Sequence, residues 1–182
     1  MGEKLTQFVV RQSGKERSTL YKALTLLFGA TLFMVVIPAL LGLLSHHIAR
    51  YLMIHVPREV EIVLGVIVLI FGLFFILWSV LSFWFIGKGT PLPFAATSKL
   101  MTSGPFRYTR NPLKLGAFCY YFGLGTIFDC LSTGLIMFII PISLGIFYHK
   151  KVEEKELLQR FGQEYEEYRR RTSFLIPWPP KK

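Results

Sequence analysis

Arg107, Arg110 and Lys114 stand close together in the stretch SGPFRYTRNPLKLG, residues 103–116, among two prolines and two glycines. Proline fixes φ, removes a backbone donor and biases the residue before it toward extended geometry. Gly104-Pro105 and Asn111-Pro112 therefore shape a stiff basic loop. Pro112 suits the first turn of a helix and Asn111 its N-cap. A helix start with arginines before it is a ready anion site. The other reading of these cations is surface charge drawn to anionic headgroups. A second group of chemical side chains lies forty residues on, in KKVEEKELLQRFGQEYEEYRRR. Glu153 and Glu154 offer carboxylates to a cation or to hydroxyls; as plain helix charge they would pair with Lys150, Lys151, Lys155 or Arg160. Leu157, Phe161, Tyr165 and Tyr168 recur at helical spacing and predict one amphipathic helix.

These groups need elements to hold them, and the elements are oily. The chain has 182 residues, 52% of them hydrophobic, with only 18% charged and a net charge of +10. A basic chain suggests nucleic acid, but the long apolar runs exclude that partner. A bilayer crossing needs about 20 apolar residues. The pattern predicts an all-α integral membrane protein of one domain, with about four transmembrane helices at 20–44, 62–86, 112–128 and 130–149. The last two form a tight hairpin across DCLSTG. A polar segment precedes the first helix over 1–19, with Ser18 or Thr19 as its cap and no cleavable signal. A loop spans 87–111, and an amphipathic C-terminal helix spans 150–171.

Charge supplies the orientation. Nineteen of the 21 lysines and arginines fall in 1–22, 87–114 and 150–182; Arg50 and Arg58 alone fall between the first two spans. The positive-inside rule then expects the N-terminus, the basic loop and the tail on the cytoplasmic side. With the tail and loop on one side, Arg110 and the glutamates can meet at the mouth of an apolar bundle. Cys119 and Cys130 read as small apolar side chains rather than a disulfide. His46, His47 and His55 lack ligand spacing, so no metal site is expected. Gly87-Lys88-Gly89 lacks the spacing of a phosphate loop, and no Ser/His/Asp arrangement stands out.

LMTSGPFRYTRNPLKLG resembles a signature stretch of the integral membrane methyltransferases, among them the isoprenylcysteine carboxyl methyltransferases and phospholipid methyltransferases. EEKELLQRFGQEYEEYRRRTSFLIP is similar to the same family's C-terminal signature, and GKGTPLPFAAT to the approach to the first motif. The likeness covers about residues 87–178. It implies S-adenosylmethionine as methyl donor, S-adenosylhomocysteine as product, and a lipophilic acceptor entering from the bilayer, such as an isoprenylcysteine-like carboxylate or a lipid amine. By motif position it implies a cofactor-binding set of Ser103, Gly104, Tyr108, Arg110, Asn111, Pro112, Gly116, Glu153, Glu154 and Tyr165. Arg110 and Glu153 take the catalytic roles, and Phe161, Gly162, Glu164 and Tyr168 complete the tail signature. Phe106 and Lys114 stand where the family carries tyrosine. A cation beside a sulfonium is unfavourable, so Lys114 is expected to snorkel outward or to meet an acidic substrate. Two other readings stay open: a non-catalytic lipid- or partner-binding protein on the same fold, and a different lipid-modifying enzyme such as a reductase.

Overall fold

The computed structural model describes Gln7 and residues 17–52, 54, 56–92, 97 and 99–180. His55, most of the polar N-terminal segment and part of GKGTPLPFAAT lie outside the described residues. Helix α1 (Thr19–Thr31) runs through a π turn, Leu32–Val36, into α2 (Ile37–Ala49). It is followed by α3 (Arg58–Phe85), α4 (Pro112–Phe128), α5 (Leu131–Tyr148), a second π turn at His149–Glu153, and α6 (Glu154–Arg171). Ser18 is the cap of α1, accepting from the Tyr21 N–H at 3.2 Å.

Among the described residues, three helices are long and apolar enough to cross a membrane: Thr19–Ala49, Arg58–Phe85 and the helix that starts at Leu131. The chain is an all-α integral membrane protein. Helix α4 has 17 residues, a rise of ~26 Å, and falls short of that length. It is nonetheless the centre of the bundle. Gly72 and Gly65 of α3 face Gly116 and Gly123 of α4 in antiparallel register; a Cβ on Gly72 would sit 2.6 Å from the Tyr120 nitrogen and 2.7 Å from the Gly116 carbonyl oxygen. Small residues let the two backbones touch, which is how helices gain packing energy in lipid.

The π turn has a cause in Pro38. An α-helical bond to the Met34 carbonyl, or a π bond to the Phe33 carbonyl, would need the N–H that Pro38 lacks. Two tyrosines of α4 supply the donors instead: Tyr120 donates to Met34 at 3.0 Å and Tyr121 to Phe33 at 2.7 Å.

Charges lengthen α3 at its start, where the apolar run alone suggested 62. Arg58 donates to the carbonyls of Thr126 (3.0 Å), Asp129 (2.9 Å) and Ile127, satisfying the C-terminal end of α4. Glu61 accepts from the Leu131 N–H at 2.8 Å and so caps α5. His46, which has no partner at metal-ligand spacing in the sequence, meets Asp129 at 2.8 Å. This closes the end of the bundle opposite the basic loop.

The C-terminal helix is not straight, contrary to the periodicity of its apolar residues. Gly162 has φ 49° and ψ −124°, a backbone state that side chains disfavour. The helix breaks there and doubles back. Glu154 and Arg169, fifteen residues apart, consequently lie 3.5 Å from each other.

Candidate functional site

Arg110 lies where four segments converge. Its backbone N–H donates to the Ser173 carbonyl at 2.9 Å, and Thr109 pairs with Ser173 in a short parallel bridge. Its guanidinium donates to Glu154 at 3.4 Å and to the Tyr165 hydroxyl at 3.2 Å, and lies 5.5 Å from the centre of the Phe174 ring. The side chain is only 10% exposed. Its Nε is buried and has no hydrogen-bond partner.

Asn111 sits at the N-cap position of α4 but caps no N–H with its side chain. Its amide instead donates to the Phe174 carbonyl at 3.0 Å, and the Thr109 hydroxyl donates to the same oxygen at 3.2 Å. The extended tail after α6 is thereby sewn onto the basic loop. Pro112 occupies the first turn of α4 and is fully buried.

Lys114 does not snorkel outward. Its ammonium turns inward to Glu153 and lies 3.1 Å from His149 Nδ1. His149 Nδ1 is also 2.6 Å from the same Glu153 oxygen, Oε2. Burial pushes the Glu153 carboxyl up, but the hydrogen bonds and charges of His149 and Lys114 outweigh it, and Glu153 is held below the ordinary carboxylate range. The neighbours expected from helical spacing are therefore replaced. Glu153 takes Lys114 and His149, Glu154 takes Arg110 and Arg169, and Arg160 goes to Glu156.

These groups border a cavity of about 240 Å³. Its polar lining includes Arg110, Asn111, Lys114, Glu153, Glu156 and Arg160, and its apolar lining includes Phe83, Met101, Leu157 and Phe161. Tyr165 is 1% exposed, and Tyr168 donates from its hydroxyl to the Phe106 carbonyl at 2.6 Å. Burial raises both phenols above the usual tyrosine value.

Of the site residues expected from sequence, the cavity gathers Arg110, Asn111, Pro112, Glu153 and Tyr165, with Glu154 behind Arg110. The others lie apart. Ser103 is exposed. Gly104 has φ +63° and packs on Ser82 of α3. The Tyr108 ring lies 6.2 Å from that of Trp78 and tilted to it, and Gly116 packs against α3. Sequence reasoning missed His149, Thr109 and Phe174. His149 was readable only as the last residue of a membrane helix, yet it is 2% exposed and its Nε2 is buried without a hydrogen-bond partner. Phe174 acts mainly through its backbone carbonyl, which leaves no side-chain signature.

Fold and site together define an all-α membrane protein with a charged cleft at one end of its apolar bundle. Residues 60–164 match the phospholipid methyltransferase family, and the chain belongs to that family of membrane methyltransferases. Among curated proteins it is similar to methanethiol S-methyltransferase 1 of Bradyrhizobium diazoefficiens, 33% identical over 73 residues, which is 40% of this chain and 24% of that protein. It is also similar to the methanethiol S-methyltransferase of Mycobacterium tuberculosis, 31% identical over 74 residues (41% and 29% of the two chains). A third relative, the methanethiol S-methyltransferase of Crocosphaera subtropica, is 30% identical over 84 residues (46% and 31%). The matched segment thus spans less than a third of the length of these relatives. No solved structure matches the chain.

Proposed function

We propose that this protein transfers a methyl group from S-adenosylmethionine to a lipophilic acceptor at the membrane surface. The observation that carries the reading is the convergence of Arg110, Lys114, Glu153 and Tyr165 on one cleft at the mouth of an apolar bundle, in a chain of a methyltransferase family. The residues present fit the donor. Glu153 engages its neighbours through Oε2 only, which leaves Oε1 for an ammonium or a ribose hydroxyl. The buried Nε of Arg110 lacks a partner, and it lies beside the first turn of α4; both favour a carboxylate. Tyr165 and Phe161 offer ring faces to a sulfonium.

The bound donor supplies an electrophilic methyl group on sulfur. The chain's own work is to align an acceptor with it and to exclude water, since positioning dominates a direct displacement. The apolar part of the lining suits an acceptor that arrives from the bilayer. Three acceptor chemistries agree with the family and its relatives: a carboxylate of the isoprenylcysteine kind, a lipid amine, and a thiol as in the names of the relatives. The charge bias along the chain favours a cytoplasmic cleft, where a soluble donor is available.

Calorimetric titration of the detergent-solubilised protein with S-adenosylhomocysteine tests the reading. The wild type is expected to bind, and Glu153→Gln and Arg110→Ala to lose at least about tenfold in affinity, the scale of one charge-assisted hydrogen bond. Unchanged helical circular dichroism checks that each variant is folded. Undiminished affinity in both would overturn the site assignment.

A further inference from the structure

The charged lining of the cavity is unbalanced. Among the described residues, its cations are Lys99, Arg110, Lys114 and Arg160, and its carboxylates are Glu153 and Glu156. Glu154 adds one more negative charge behind Arg110. Every carboxylate near the cleft already has a cationic partner: Glu153 has Lys114, Glu154 has Arg110 and Arg169, and Glu156 has Arg160. Two buried side-chain atoms beside the cleft lack a hydrogen-bond partner, Arg110 Nε and His149 Nε2. A sulfonium donor would add further positive charge.

We infer that Lys114 makes this an enzyme for anionic acceptors, and that the nucleophile is a thiolate or carboxylate on an apolar body rather than an amine. The inference rests on the methyl-transfer reading above and narrows its acceptor. Lys114 and His149 take Oε2 of Glu153, and on the reading above the donor takes Oε1, so an amine acceptor's ammonium finds no free oxygen on Glu153. An alkylamine is an ammonium at neutral pH, so it meets like charge in a half-buried cleft, where Coulomb interactions are strong. An anion meets the opposite. In the transfer the acceptor sulfur or oxygen forms a bond to the methyl carbon while the carbon–sulfonium bond breaks, and its electron pair stays on the donor sulfur. The two charges cancel and the products are a neutral thioether or ester and S-adenosylhomocysteine. A thiol loses its proton to water before transfer; a carboxylate has none to lose. Because opposite charges disappear as the bond forms, a water-poor cleft favours this pairing.

The experiment uses the full chain in nanodiscs with S-adenosylmethionine and three acceptors of equal chain length: dodecanethiol, dodecanoate and dodecylamine. Formation of S-adenosylhomocysteine gives kcat/KM for each, and calorimetry follows donor binding separately. The wild type is expected to use the thiol or the carboxylate at least about tenfold better than the amine, as like-charge contacts strongly disfavour a wrong partner. The thiol and carboxylate arms then say which anion it takes. In Lys114→Met and Lys114→Tyr, assayed at a donor concentration that calorimetry shows to be saturating for each variant, that ratio is expected to collapse by about tenfold through KM of the anion. Preference for dodecylamine in the wild type, or an unchanged ratio in both donor-binding variants, overturns the inference and leaves methyl transfer standing. Failure of folded wild type to bind the donor would overturn both.

Discussion

Lys114 and Glu153 are 39 positions apart in the chain and in direct contact in the fold. Their environment decides what each does. The Glu153 carboxyl is pushed up by burial and pulled down further by His149 and Lys114, so its net displacement is downward from 4.5. A carboxyl with a lowered folded pKa stabilises the protein at pH values above its unfolded pKa, and that contribution disappears as pH falls through the folded value. Thermal stability in detergent is thus expected to hold from neutral pH to about 4.5 and to fall below it. Part of that loss should be absent from Glu153→Gln, whose side chain does not titrate. A variant curve parallel to the wild type across this window would show that the cluster is not coupled to folding.

Helix α4 shows how an element of marginal length becomes central. Its 17 residues alone keep it out of the set of helices long enough to cross a membrane. Its glycines let it approach α3 at backbone distance, and its tyrosines fill the bonds that Pro38 leaves open in the first helix. The contact is tight enough to be tested by one methyl-bearing branch. Gly72→Val would place a Cβ 2.6 Å from a backbone nitrogen that cannot step aside. Overpacking of this kind costs about 1–3 kcal/mol, and a lower melting temperature in detergent should report it. A variant as stable as the wild type would mean that α3 and α4 separate readily. Helix α6 gives the opposite lesson. The spacing of Leu157, Phe161, Tyr165 and Tyr168 fits one straight helix, and the positive φ of Gly162 breaks it. The FG pair was visible in the sequence; its consequence for direction was not, because glycine permits a turn without requiring one.

At the scale of the molecule, the site is closed by its last segment. Residues 172–180 leave α6 and return to the basic loop: Ser173 pairs with Thr109, Phe174 takes bonds from Asn111 and Thr109, and Trp178 donates to the Tyr108 carbonyl at 2.9 Å. Leu175 reaches the small core of Phe75, Leu115 and Cys119. Arg110 is therefore positioned by a strap as much as by its own loop. Removing residues 172–182 should leave the helical circular dichroism of the bundle nearly unchanged while S-adenosylhomocysteine affinity falls at least about tenfold, as an unanchored charged pair loses its preorganisation. Full affinity in the truncated chain would make the strap dispensable.

The amino-acid sequence by itself determined the membrane class, the helices as elements, the charge asymmetry, and the presence of Arg110, Glu153 and Tyr165 in recognisable local motifs. These depend on composition, period and neighbours within a turn or two, which physical chemistry acts on directly. The tertiary structure alone decided which groups meet. Arg110 finds Glu154 across 44 positions and Asn111 finds Phe174 across 63. Lys114 turns inward because two partners from another helix await it. Gly104 and Gly116 both lie against α3. Such pairings follow from how four helices cross and where Gly162 bends the tail, and no local pattern encodes a contact whose two halves are brought together only by the folded bundle.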